Sequence, residues 1–156
     1  MRRPADGHAD RISWYRSSLG ATTTNTALTI CNELVAGGFS DWRLATIDEL
    51  RKIIHDCPAT TTGGGCGVTN TCWQETCWSE AACGGCAMKG GPGDKGCYTD
   101  PWLDDQCHLV ISATKVQSTG VGDSRSWFVT FYDGRIAVNP SGSPIISGFA
   151  RCVRGP

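Results

Sequence analysis

The stretch that decides the fold is GGFSDWRLATIDELRKI, residues 37–53. Thr46 with Glu49 three residues later forms a capping box, in which each side chain accepts a hydrogen bond from the other residue's backbone N–H. Basic residues in the later turns, Arg51 among them, suit the helix dipole. The apolar residues have the spacing of one helix face, and they are Ile47, Leu50, Ile53 and Ile54. The segment therefore predicts a short amphipathic helix that buries one face.

A second helix is predicted upstream, within TTTNTALTICNELVAGG, residues 22–38. The threonines at its start offer an N-cap, and Gly37 and Gly38 are expected to end it. Its apolar residues follow the i, i+3, i+4, i+7 pattern of one helix face, and they are Ala27, Ile30, Cys31 and Leu34. Cys31 is therefore expected on the buried side of this helix.

The strands come mainly from the C-terminal third of the chain. HLVIS (108–112) and SWFVTFY (126–132) are predicted strands, and the second of them alternates between two faces. Asp133–Gly134 is a two-residue hairpin signal leading into RIAV, and FARCVR (149–154) is expected to be one last strand. RISWYR (11–16) is a further short strand candidate. The order of elements predicts an α+β fold with two helices and a small antiparallel sheet.

The length and the net charge of the chain argue against some classes of function. At 156 residues the chain is expected to form a single domain over 11–156, after a polar tail of residues 1–10. The net charge is −1 and the isoelectric point is about 6.3, so no basic face marks nucleic acid as a partner. The apolar runs have the length of strands, so membrane insertion by this chain is not expected.

Ten cysteines predict an oxidising compartment. The number is even, and it is high for a cytosolic protein. We therefore expect an extracellular or cell-surface location, although a cytosolic zinc protein is the alternative. The first ten residues, MRRPADGHAD, lack the apolar segment of a signal peptide. We accordingly expect a mature form or an added Met1.

Residues 57–107 form a cysteine-rich insertion with no convincing helical or strand period. A structureless segment of this length needs something to clamp it. Cys83 and Cys86 have the C-x-x-C spacing of a zinc knuckle, which Cys72, Cys77, His55 or His108 could complete. A redox C-x-x-C motif would need a flanking strand and helix, which the neighbouring glycines disfavour. Disulfides are the expected outcome.

Three motifs in the same order carry a resemblance to a known family. Trp42-Arg43-Leu44 is followed by Thr46, Glu49 and Leu50, with Ala45 where the family usually has proline. The strand motif contains Trp127, Val129, Phe131 and Gly134, and the chain ends in Arg151-Cys152-Val153-Arg154. This pattern resembles the Lcl C-terminal domain, a bacterial domain of unknown function. The resemblance implies a C-type-lectin-like fold in secreted or surface-attached proteins, some of them adhesive.

The resemblance also implies a disulfide. C-type-lectin-like domains often join the first helix to the last strand, and here that pairing is Cys31 with Cys152. Closing so long a loop would contribute roughly 4 to 5 kcal/mol in the chain-entropy account. The other eight cysteines are then expected to pair among themselves, and they are Cys57, Cys66, Cys72, Cys77, Cys83, Cys86, Cys97 and Cys107.

The candidate ligand residues lie in the insertion. No cofactor is expected, and the sugar-binding triplets of calcium-dependent lectins are absent from the sequence. Calcium is the alternative, and its candidate ligands are Asp94, Asp100, Asp104 and Asp105. Exposed tryptophans are common recognition anchors, and the candidate contacts are Trp73, Trp78 and Trp102 with Asp104 and Asp105. Trp42 and Trp127 are assigned to the core.

No catalytic signature is present in the sequence, so we do not expect an enzyme. The leading prediction is an extracellular bacterial binding or adhesion module. Its disulfide-braced loop would present a surface to a glycan or a protein at a cell surface. The alternative is a structural subunit of a self-assembling surface fibre or appendage, using sheet edges and the N-terminal tail for self-association.

Overall fold

A computed structural model describes residues 12–103, 107–117, 125–138 and 148–156. The predicted tail, residues 1–10, lies outside the described residues. The described part of the chain is α+β, with three α-helices and eight strands. The helices are α1 Thr24–Glu33, α2 Ile47–Lys52 and α3 Glu80–Cys83. The strands are β1 Ser13–Trp14, β2 Leu19–Ala21, β3 Arg43–Leu44, β4 Leu109–Lys115, β5 Ser126–Thr130, β6 Arg135–Val138, β7 Gly148–Ala150 and β8 Cys152–Arg154.

The strands form two sheets, where the sequence predicted one. The larger sheet has the order β2-β7-β4-β5-β6, and the smaller one has the order β1-β8-β3. The pairing of β4 with β7 is parallel, so the larger sheet is mixed and not purely antiparallel. The prediction of one antiparallel sheet was wrong on both points. The strands β2 and β3, of three and two residues, are too short to show a period, and no local pattern reveals that β4 pairs in parallel with β7.

The last strand is broken at Arg151. The sequence FARCVR was predicted to be one strand, but β7 joins the larger sheet and β8 joins the smaller one. Arg151 lies between them with its side chain fully buried, and its guanidinium donates to the carbonyl of Arg16 at 3.0 Å. Its own carbonyl accepts from the amide of Ala45 at 3.0 Å. Arg151 thus joins the junction of β7 and β8 to the segment between β1 and β2 and to the residue that follows β3.

Two apolar clusters lie on opposite faces of the larger sheet. Successive side chains of β5 point alternately into one cluster and the other. Trp127 and Val129 belong to the cluster that includes α2 and the insertion, whereas Phe128 belongs to the one that includes α1. Both predicted core tryptophans are buried, Trp127 in the first cluster and Trp42 in the second. The larger sheet is thus covered on both sides, and the insertion takes part in covering one of them.

The two predicted helices are present. The Thr46–Glu49 capping box of α2 is formed in both directions, and the four apolar residues of its predicted face are buried. Thr23 caps α1, which ends at Glu33, before the glycines that were predicted to end it. The turn between β5 and β6 spans residues 131–134, longer than the predicted two-residue hairpin, because Thr130 pairs with Arg135.

A third helix, α3, lies in the insertion and was missed. Ser79 caps it by accepting from the amide of Ala82, and it spans only four residues. Short 3₁₀ turns at Glu75–Cys77 and Asp94–Gly96 add to the order of the insertion. None of the helices in the described ranges is long and apolar enough to cross a membrane.

Candidate functional site

Five disulfides organise the molecule. Cys31 of α1 is joined to Cys152 of β8, the pairing that the resemblance implied. Four more lie wholly within the insertion, and they are Cys57–Cys86, Cys66–Cys83, Cys72–Cys77 and Cys97–Cys107. No cysteine is free. The sulfurs that a zinc knuckle would need as thiolates are therefore held in disulfides, and Cys83 and Cys86 of the C-x-x-C motif are bonded to Cys66 and Cys57 instead of to each other.

A buried arginine holds the first part of the insertion. Arg51 of α2 is only 4% exposed, and its guanidinium donates to four backbone carbonyls. These belong to Thr60 at 2.8 Å, Thr61 at 2.9 Å, Cys66 at 2.9 Å and Val68 at 2.6 Å. Burial lowers the pKa of Arg51 below its ordinary value. Arg51 thus organises residues 60–68, because five fixed donors can serve several carbonyls at once.

The sequence analysis assigned Arg51 to the helix dipole and missed this role. One signal could have revealed it. Arg51 lies four residues after Ile47 and one after Leu50, so it falls within the buried stripe of α2. An arginine at such a position must find acceptors inside the protein.

The insertion also covers the edge of the larger sheet. Trp78 donates its indole N–H to the carbonyl of Ile136 on the edge strand β6 at 2.6 Å. The amides of Cys86 and Lys89 donate to the carbonyls of Asp133 and Tyr132 at 2.6 and 2.8 Å. These bonds use backbone acceptors along β6 and its preceding turn that would otherwise face solvent.

The three candidate tryptophans of the insertion are not brought together. Trp73 is 55% exposed. Trp78 is half-buried, with the guanidinium of Arg135 lying 5.4 Å from its ring centroid. Trp102 is half-buried and lines a small cleft. The other two candidate contacts, Asp104 and Asp105, lie outside the described residues.

The cleft at Trp102 is lined by two tryptophans and an aspartate. We call it the tryptophan cleft, and its volume is about 200 Å³. The backbone amide of Trp102 donates to Oδ1 of Asp100 at 3.1 Å, and the amide of Leu103 donates to the Asp100 carbonyl at 2.9 Å, so this turn is fixed. The lining residues are Ile12, Ser13, Trp14, Ile53, Asp100, Trp102 and Leu103.

Trp14 was missed as a site residue. It lies on β1, about ninety positions from Trp102 in the sequence, and the pairing of β1 with β8 fixes its place in the fold. No local pattern links the two tryptophans. Only the three-dimensional arrangement reveals that both line one cleft.

A larger groove, of about 860 Å³, lies beside α2, but most of its charged side chains have structural partners. Arg43 binds both carboxylate oxygens of Glu49, at 2.7 and 2.9 Å. Asp48 and Asn70 exchange two backbone-to-side-chain hydrogen bonds, each of 3.1 Å. Burial alone would raise the pKa of Glu49, but the bonds from Arg43 and the Thr46 amide outweigh it and leave this pKa lowered. The tryptophan cleft is therefore the better candidate ligand site.

The calcium candidates do not form a cluster among the residues that the structure describes. Asp94 is exposed in a 3₁₀ turn, whereas Asp100 lines the tryptophan cleft. Within the described ranges, no three His, Cys, Asp or Glu side chains converge to hold a metal ion. Calcium binding stays an untested alternative, because two of its four candidate ligands, Asp104 and Asp105, lie outside these ranges.

Fold and disulfides together define a small α+β domain with a covalently braced insertion. The family model of the Lcl C-terminal domain matches residues 8–154. The chain belongs to the Lcl C-terminal domain family. No curated protein and no solved structure matches the chain.

Proposed function

We propose that the chain is an extracellular bacterial binding or adhesion module with a C-type-lectin-like fold, and that its tryptophan cleft takes a glycan or protein ligand at a cell surface. The single observation that carries the proposal is the convergence of Trp14, Trp102 and Asp100 on one cleft. The family membership reported above supports the fold part of the proposal, because the resemblance to this family implies that fold.

The proposed location has its own support. Five disulfides with no free cysteine are consistent with an oxidising compartment outside the cell. Disulfides are rare in proteins that are kept in the reducing cytosol.

The side chains that line the cleft are of types that suit a recognition site. Indole rings offer large rigid surfaces that lose little conformational entropy on binding. The Asp100 carboxylate adds a hydrogen-bond acceptor at the same place. The Cys97–Cys107 disulfide brackets the turn that carries Asp100 and Trp102, which limits the motion of this wall of the cleft.

The fibre alternative has less support at the β6 edge of the larger sheet. A subunit that polymerises through sheet edges needs exposed backbone donors and acceptors. The edge strand β6 is instead contacted by the insertion, through the indole of Trp78 and the backbone around Cys86. Covering an edge in this way is a common protection against edge-to-edge association.

The test uses the intact chain on arrays of cell-surface glycans and proteins. Trp102→Ala and Asp100→Asn are the cleft variants, and asparagine at position 100 keeps an acceptor for the Trp102 amide. Met88→Ala is the matched control, because Met88 is an exposed side chain elsewhere on the insertion. We expect both cleft variants to weaken binding by at least about tenfold, and the control to bind normally.

Unchanged binding in both cleft variants, with unchanged melting temperatures, would overturn the cleft as the site. Long polymers of the unmodified protein in electron micrographs at neutral pH, without binding to any array, would favour the fibre alternative.

A further inference from the structure

We propose that a second site lies on the loop of residues 72–77, and that it binds a neutral polysaccharide by stacking a sugar ring on Trp73. We call these six residues the Trp73 loop. The site is distinct from the tryptophan cleft, and its ligand class follows from its own chemistry.

The starting observation is a contrast between two identical tripeptides. Thr-Cys-Trp occurs at 71–73 and again at 76–78. Trp78 packs against the sheet and donates its indole N–H to Ile136. Trp73, by contrast, leaves 55% of its surface exposed. The second indole is used by the fold, whereas most of the first is presented to solvent.

The Trp73 loop is held rigid. The Cys72–Cys77 disulfide closes it, and the indole of the buried Trp127 donates to the carbonyl of Cys72 at 2.8 Å. The carbonyl of Trp73 accepts from the amide of Gln117 at 2.6 Å. A ligand that lands on a fixed indole does not have to order the loop, so less binding free energy is lost to conformational entropy.

The loop presents no unpaired charge of its own. Glu75 is its one ionisable side chain apart from the bonded cysteines, and it forms an ion pair with Arg125. The Arg125 side chain is only 1% exposed, so this cation is not presented to a ligand. The other exposed side chains are Gln74 and Thr76, which hydrogen-bond through Thr76 Oγ1 and Gln74 Oε1 at 3.4 Å.

These features select the ligand class. An indole face is electron-rich and attracts the weakly positive C–H groups on one face of a sugar ring. The amide of Gln74 and the hydroxyl of Thr76 can hydrogen-bond the ring hydroxyls. The anchors of a protein interface lie in a well-packed, fully desolvated patch, whereas this loop presents one large apolar side chain, Trp73. A charged polysaccharide would gain no ion pair here.

The test measures dissociation constants by calorimetry for neutral hexasaccharides and for a charged one of equal length. The neutral probes are cellohexaose, chitohexaose and maltohexaose, and the charged one is hexagalacturonate. We expect at least one neutral probe to bind and Trp73→Ala to weaken it by at least about tenfold. Trp73→Phe keeps an aromatic face and should weaken it less. Met88→Ala, which changes another exposed side chain of the insertion, should bind normally.

The inference is overturned if no neutral probe binds, if Trp73→Ala changes nothing, or if hexagalacturonate binds as tightly through Trp73. Trp102→Ala separates this proposal from the cleft. Loss of neutral-sugar binding in Trp102→Ala alone would place that ligand in the cleft and overturn the inference. Loss in Trp73→Ala alone would support it.

Discussion

Two regions of the molecule are ordered by different means. The framework comprises the described residues of 12–56 and 108–156, and the insertion comprises residues 57–107. The framework forms two sheets and two helices, and its strands pair across long sequence separations. Within its described residues, the insertion contributes no strand to either sheet and contains one four-residue helix. It is held by four disulfides and by the buried guanidinium of Arg51. A polar, glycine-rich segment can therefore be ordered without building a core of its own.

The two regions nevertheless share one apolar cluster. Val68, Tyr98 and Leu103 of the insertion are buried in the same cluster as Trp127 and Val129 of β5. The insertion is thus more than the surface loop that the sequence predicted. Its few apolar residues dock onto the framework, while covalent bonds and hydrogen bonds order the rest.

The largest expected effect is the loss of stability when the framework disulfide is removed, compared with the insertion disulfide that closes the shortest loop. Replacing Cys31 and Cys152 together by alanine should lower the free energy of unfolding by roughly 4 to 5 kcal/mol, because this bond closes a loop of 121 residues. The same change at Cys72 and Cys77, five residues apart, should cost only about 2 kcal/mol. Urea denaturation of the two double variants measures both values. Equal losses, or the reverse order, would contradict the comparison.

A smaller effect is expected when Arg51, the arginine of α2 that holds the insertion, is replaced. Arg51→Met should lower the free energy of unfolding by about 3 kcal/mol, because several buried carbonyls lose their donor. Lys52→Met is the matched control, since Lys52 follows directly on the same helix and is exposed. The control should lie within about 0.5 kcal/mol of the unmodified protein. Chemical denaturation of both variants measures the two free energies of unfolding. Similar losses of stability in the two variants would show that Arg51 does not organise the insertion.

The smallest expected effect lies in the framework and depends on pH. Glu49→Gln keeps the capping box but removes the charge that pairs with Arg43, so it should cost about 1 kcal/mol at pH 7. The pKa of Glu49 in the folded chain lies below its ordinary value of 4.5. The contribution is therefore complete above pH 4.5 and is lost as the pH falls through the folded pKa.

Urea melts of Glu49→Gln and the unmodified protein from pH 7 down to pH 3 test this pH dependence. Their difference should shrink towards acid. The matched comparison is Glu80→Gln, whose pair with Arg135 joins α3 to β6 but is exposed, so the change should be smaller. A Glu49 difference that stays constant to pH 3 would contradict the assignment.

Features that depend on neighbouring residues were predicted from the sequence, whereas features that depend on distant contacts were missed. The cap of α2, the apolar stripe of α1 and the alternation of β5 are set by neighbouring residues, and all three were found. The two-residue strand β3 exists only because it pairs with β8, which lies more than a hundred positions away. Its two residues carry no periodic signal of their own.

The candidate site was less predictable for the same reason. Trp73 and Trp78 follow the same two residues, yet one is exposed and the other packs against β6. Trp102 was a predicted contact, but Trp14 joins it only through the pairing of β1 with β8. Tertiary structure, and not local sequence, decides which tryptophans are presented.

Hydrogen exchange with and without a reductant tests the central claim most directly, namely that covalent bonds order the insertion while packing orders the framework. After reduction under native conditions, amides of the insertion such as those of Cys66, Cys86 and Cys97 should lose protection. Amides of β4 and β5 should keep more of their protection than those of the insertion, because strand pairing and the two apolar clusters still hold them when the reductant also breaks Cys31–Cys152. A chelator in place of the reductant should change the amide protection of neither region. The account is contradicted if the insertion keeps its protection after complete reduction, or if β4 and β5 lose as much protection as the insertion does.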